Sequence, residues 1–263
     1  VGLKSAVFGL ACLALAGFGM PAGAQMWPTP AGPAEDLTED EVLENALAAY
    51  QAVFYHELGH ALIDILELPV LGLEEDAADI LSAVLIHELW EPEDSAFKLR
   101  AAAGYWAQSA AIWADTGEAP DFGGVHSPDE RRYFTYVCLY YGADPENRAE
   151  MAAELGLSEG RAATCPQEYE LASQSWGTFL DELYEIGPGE SLRWTGPEDA
   201  DDPFAEMIRE EIDYLNSILT LPATLDVEIA LCDEPNAYYD PSTVSVTMCW
   251  ELAEWMMGLD PEL

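Results

Sequence analysis

In "HELGHALIDILELPVLGLEEDAAD", residues 56–79, two of the chain's four histidines stand four residues apart, a glutamate follows the first, and a run of acids lies beyond a proline. Upstream, Thr38-Glu39-Asp40-Glu41 has the form of a capping box. Apolar residues at 42, 46, 49, 53, 58, 62 and 65 then keep helical spacing up to Pro69. One helix is therefore predicted to carry both histidines. Residues i and i+4 share a helix face, so His56 and His60 can reach one ion while the carboxylate of Glu57 stays free for a water on that ion. Catalytic zinc takes three protein ligands and keeps one position open, so a third ligand is required. Glu74, Glu75, Asp76 and Asp79 offer it, on a second helix predicted from Glu74 to about Trp90. Glu75 and Asp79 share one face, with Glu75 as the ligand and Asp79 accepting the other ring N–H of a metal-bound histidine; Glu74 and Asp76 are expected to point elsewhere. The ordinary alternatives are a satisfied core histidine pair and the acidic first turn that any helix favours. It is the conjunction of the two that points to one zinc per chain.

Outward from this stretch the pattern stays helical. Helices are predicted over residues 97–113, 129–141, 145–155, 166–186 and 204–219, and a short last one over 250–258. Residues 187–203, rich in Gly, Pro and acid, read as a linker or long loop, and the acidic run 198–202 in it reads as solvated rather than as a calcium site. Residues 224–231 and 242–249 alternate and are β-branched around the turn-forming "CDEPNAYYDP", which predicts a β-hairpin. The fold class is mainly α (α+β), with a helical core and a small C-terminal hairpin or sheet. Trp106 and Trp113, seven residues apart, are expected in the core, and His87-Glu88 is expected to be a surface pair.

The start of the chain has a different character. Lys4, an apolar run over residues 6–19 and then Pro21-Ala22-Gly23-Ala24 have the order of a secretory signal cut near Ala24. The expected organisation is a signal at 1–24, a flexible leader at 25–37, and one domain over 38–263, of which 38–186 is the helical metal-binding part and 204–263 the helix-plus-hairpin part. No stable membrane insertion is expected after cleavage, and the location would be periplasmic or secreted, in a bacterium. Four cysteines then remain, and an even count in an exported chain favours disulfides. Among three connectivities, Cys138–Cys165 and Cys232–Cys249 each close a short local segment. A net charge of −41 with nine Lys and Arg repels phosphate backbones and anionic lipids, so nucleic acid is excluded as a partner. The sequence leaves the oligomeric state open.

H-E-x-x-H followed by E-x-x-x-D on the next helix resembles the gluzincin arrangement of thermolysin-type metallopeptidases. That resemblance implies His56, His60 and Glu75 as ligands, Glu57 as base and Asp79 as the partner behind a ligand. More narrowly, "FYHELGHALIDILELPVLGLEEDAAD", "HSPDERRYFTYVCLYYG" and "CDEPNAYYDPSTVSVTMCWEL" together resemble an uncharacterised bacterial metallopeptidase family. There the last block precedes the H-E-x-x-H helix, whereas here it comes at the end, an order similar to a circular permutation; the hairpin should still pack beside the helix of His56. A hydrolase also needs a donor for the oxyanion. His126, Arg132 and Tyr239 are the candidates, the alternative being that Asp129, Arg132 and His126 cap and pair locally. The expected activity is hydrolysis of a peptide or protein substrate by an exported zinc metallopeptidase. The alternatives are a non-catalytic binding protein with zinc as a structural clip, which would close the fourth position with Glu74 or Asp76, and a zinc amidase acting on a non-protein amide.

Overall fold

The computed structural model describes residues 38–117, 119–197 and 201–258. The expected signal and leader, and the acids at 198–200, lie outside these residues.

Helix α1 (Glu39–Ile65) starts at the capping box: the Thr38 hydroxyl accepts from the Glu41 backbone N–H, and the Glu41 carboxylate accepts from the Thr38 N–H. From Ala48 to Ile63 it is buried on almost every side, as befits a helix apolar around its circumference. This central position is why His56 and Glu57 are buried and His60 is only partly exposed. Around it stand α2 (Glu74–Glu88) and α3 (Pro92–Thr116), and α4 (Asp129–Ala143) packs on α2, α3 and α7 (Cys165–Ile186). The short α5 (Pro145–Glu154) and α6 (Glu159–Ala162) connect α4 to α7. α3 begins five residues before its predicted start, because Pro92 occupies the first turn, where its missing N–H costs nothing.

The C-terminal part holds β1 (Leu192–Trp194), α8 (Pro203–Ile218), β2 (Leu225–Ala230), β3 (Ala237–Asp240), β4 (Ser245–Cys249) and α9 (Trp250–Met257). The sheet order is β1-β2-β4-β3, with β1, β2 and β4 parallel and β3 antiparallel to β4. Two expectations are corrected here. Strands β2 and β4 do not form a hairpin with each other; they run parallel, because the segment read as a turn contains β3, and β3 makes the hairpin with β4. The segment 187–203 is not only a loop: Leu192–Trp194 adds a parallel strand beside β2. The sheet does pack beside α1, through β3 and β4, and the Tyr50 hydroxyl donates to the carbonyl of Cys249.

Both expected disulfides are present, Cys138–Cys165 joining α4 to the start of α7 and Cys232–Cys249 joining the exit of β2 to the end of β4. Trp106 is buried as expected. Trp113 is not in the core but exposed, near the solvent-facing end of α3. His87 does not lie free on the surface: its Nδ1 meets the buried guanidinium of Arg148 at 3.0 Å. Among the described residues no helix is long and apolar enough to cross a membrane.

Candidate metal centre

The approach of α2 to α1 is set at Gly59, between the two histidines. A Cβ there would lie 2.9 Å from the backbone Cα of Ala78, so only glycine lets the helices come this close. The contact brings the first turn of α2 against the histidine face of α1. His56 Nε2, His60 Nε2 and Glu75 Oε2 then form a triangle with all three sides 3.2 Å.

The far nitrogens decide what that triangle can hold. His56 Nδ1 lies 2.9 Å from Asp79 Oδ1, and His60 Nδ1 lies 2.8 Å from Glu74 Oε1. Carboxylates only accept, so each Nδ1 carries the proton and donates it. Each Nε2 thus presents a lone pair toward the other and toward the Glu75 oxygen, and three such atoms at this spacing demand positive charge between or upon them. A tetrahedral ion with ligand bonds of about 2.0–2.1 Å separates its ligands by roughly 3.3–3.4 Å, which this triangle fits. The other group of metal-ligand residue types brought together among the described residues, Cys232, Cys249 and Glu251, has its two sulfurs tied in a disulfide. Its carboxylate instead accepts backbone N–H groups of Cys232 and Asp233.

The electrostatics agree. Burial opposes charge on His56 and His60, yet the neighbouring carboxylates, Asp79 first for His56 and Glu75 then Glu74 for His60, raise both imidazoles, His60 to about 9. Burial likewise opposes ionisation of Glu75, but the His126, His56 and His60 rings, which donate to it when no ion lies between them, hold its carboxyl far below the ordinary value. These directions mark a carboxylate-rich cluster that favours positive charge at its centre, either as protons on the histidines or as a cation. Glu57 differs: it is buried, and burial pushes its carboxyl up, the direction suited to a group that takes up a proton.

Behind His56, Asp79 is gripped by Arg132 from α4, with Nε to Oδ2 at 2.7 Å and Nη2 to Oδ1 at 2.6 Å. Both residues are buried, and the guanidinium lies 3.4 Å over the Trp106 ring. Burial alone would raise the Asp79 carboxyl; Arg132 and His56 hold it well below the usual range.

A cavity of about 840 Å³ opens over the triangle, lined by His56, Glu57, His60, Glu75, His126 and the β3 segment from Asn236 to Tyr239. The half-exposed His126 reaches it from the loop before α4, its Nε2 3.0 Å from Glu75 Oε2. Tyr239 lines the same cavity, but its hydroxyl donates to Asp64, one turn beyond His60, at 2.6 Å. The folded chain thus brings together His56, Glu57, His60, Glu75, Asp79 and His126. Arg132 is adjacent, with its fork on Asp79, and Asp129 accepts from Ser109 rather than from Arg132. The expectation that Glu74 points elsewhere is corrected, since it holds the Nδ1 of His60. Its position immediately before Glu75 carries no signal of this, because which first-turn acid faces α1 depends on the helix crossing at Gly59.

Neither the curated proteins nor the solved structures include a match to this chain. Residues 31–180 and 201–259 do match the model of a family described as "Putative metallopeptidase". With that much of its length matched, the chain belongs to this family, whose description names a metal-dependent peptidase.

Proposed function

We propose that the protein is an exported zinc peptidase of the gluzincin type, with His56, His60 and Glu75 as ligands and Glu57 as general base. The observation that carries this reading is the triangle of three 3.2 Å edges whose histidines both have their Nδ1 committed to carboxylates. Zinc bound there supplies a Lewis acid that lowers the pKa of its water toward ~7. Glu57, buried beside the triangle, takes the proton of the attacking water on its carboxylate and hands it to the leaving amine. Asp79 holds the proton on His56 Nδ1, Glu74 does the same at His60, and Arg132 fixes Asp79. His126 Nε2 faces the cavity as the donor for the oxyanion, a role supported by its exposure and its 3.0 Å approach to Glu75.

The peptide is held at the sheet. β3 is an end strand of the sheet, paired to β4 on one side, and it borders the cavity. Strand addition there would lay an extended substrate across the metal helix. A closed, purely structural zinc site would use Glu74 or Asp76 as fourth ligand. Glu74 is held on the opposite side of the His60 ring, which favours an open fourth position. Two disulfides support export, and one contiguous cluster of buried residues across the helices and sheet supports a single domain over 38–263. The sheet following the metal helix in sequence, yet packed beside it, supports the permuted order.

The test is cleavage of casein by wild type and by Glu57→Gln, with metal content measured on both. The expected result is retained zinc and a loss of roughly 100-fold or more in cleavage; equal cleavage by the variant would remove Glu57 from the chemistry.

A further inference from the structure

A second cavity, of about 980 Å³, lies on the other side of the segment 66–73 that joins α1 to α2. Ile63, Leu68, Gly72 and Leu73 line both cavities, so the two adjoin at this segment. Its remaining walls are mostly apolar: Ile80 from α2, Phe134 and Leu139 from α4, and Leu171, Trp176 and Phe179 from α7. Leu71 is fully exposed on its rim, and Leu171 is more than half exposed. The charge differs between the two sides. The metal cavity carries Asp64, Glu67 and Glu74 in addition to the triangle. The second cavity holds Arg131 and Arg161, two of the chain's nine Lys and Arg, against Asp76 and Glu168, while its remaining acid, Asp79, is neutralised by Arg132. In a protein of net charge −41 this is a nearly neutral, apolar groove.

We propose that this groove is a distal substrate site, which takes an apolar segment of the polypeptide whose scissile bond lies at the metal centre. This inference rests on the peptidase reading. Adjacency at Leu68, Gly72 and Leu73 names the occupant: a chain leaving the metal cavity at this end passes over the shared segment onto the groove. The near-neutral lining selects apolar side chains, whose transfer from water drives the contact. The substrate class is therefore an unfolded or extended polypeptide with a cluster of large apolar residues set off from the cleavage point.

The experiment uses three fluorescent peptides: a short Gly/Ala-rich one, and the same peptide extended by a Leu/Phe-rich segment at its N- or its C-terminus. Affinity is read by anisotropy on Glu57→Gln protein, and on the same protein carrying Leu171→Asp, Leu71→Asp or, as a control outside both cavities, Ile186→Asp. All three added positions are solvent-exposed, so folding is preserved. One of the extended peptides should bind roughly tenfold tighter than the short one, an advantage lost in Leu171→Asp and Leu71→Asp and kept in Ile186→Asp. Equal affinity of all three peptides, or an advantage that survives both groove variants, overturns the distal site. Turnover of the same peptides by wild type reports separately on the peptidase reading: cleavage without any benefit of extension keeps the peptidase and removes the groove.

Discussion

Gly59 and Asp79 carry the geometry of the centre without touching a metal. Gly59→Val would drive a branched side chain into the Ala78 backbone, which lies 2.9 Å from the first added carbon. α2 must then move and take Glu75 with it. Zinc affinity should fall by roughly tenfold or more, read by chelator competition, whereas retained affinity would show that α2 is not positioned at this contact. Asp79→Asn leaves the buried Arg132 without its anion, which should cost about 3–5 kcal/mol in urea unfolding. The pH response follows from the depressed Asp79 carboxyl. Its stabilisation is fully present above the ordinary aspartate value near ~3.9 and is lost as pH falls below that toward the folded value. The urea midpoint of wild type should therefore drop below about pH 4 more steeply than that of Asp79→Asn; parallel curves would refute the assignment. His126→Ala should keep its zinc and lose roughly 100-fold in kcat. The shared faces of His56 with His60 and of Glu75 with Asp79 were legible in the sequence because i,i+4 spacing is local. The grip of Arg132 on Asp79, 53 residues away, was not, because it arises only when α4 packs on α2.

Helices were readable at the Thr38 cap and at Pro145, whereas Pro92 at the start of α3 and the Ser158 cap of α6 went unread; α8 starts one residue before its expected start, where the Asp202 side chain accepts from Phe204 and Ala205. The strands were harder. β1 is three residues long between Gly/Pro segments, and β3 is four residues set among Asn, Pro and Asp, so turn chemistry masked both. The disulfides were legible from local spacing, and they join the pieces that the helices leave separate. Gly142 explains how α4 and α7 come close enough, since a Cβ there would meet the Cys165 carbonyl at 2.2 Å. Replacing Cys138 and Cys165 together by serine should cost about 3–4 kcal/mol of stability, from the chain entropy of the loop released. Thermal unfolding checks it, and an unchanged midpoint would mean that packing alone fixes α4 against α7.

The folded chain wraps the buried α1 with α2 on one side and the sheet on the other, and the 840 Å³ cavity is the space those neighbours leave above the histidines. The sequence foretold the sheet beside α1 but not a second cavity adjoining the first, since each lining draws on segments far apart in the chain. Membership of a metallopeptidase family agrees with a candidate centre whose carboxylate partners favour a cation. In the proposed metal centre Glu75 completes the ligand set and Glu74 supports it from outside. Elemental analysis of purified wild type, His60→Ala, Glu75→Ala and Glu74→Ala addresses it most directly. About one zinc per chain is expected in wild type, lost in His60→Ala and Glu75→Ala and retained in Glu74→Ala. Full zinc in Glu75→Ala, or none in wild type, would refute this ligand set.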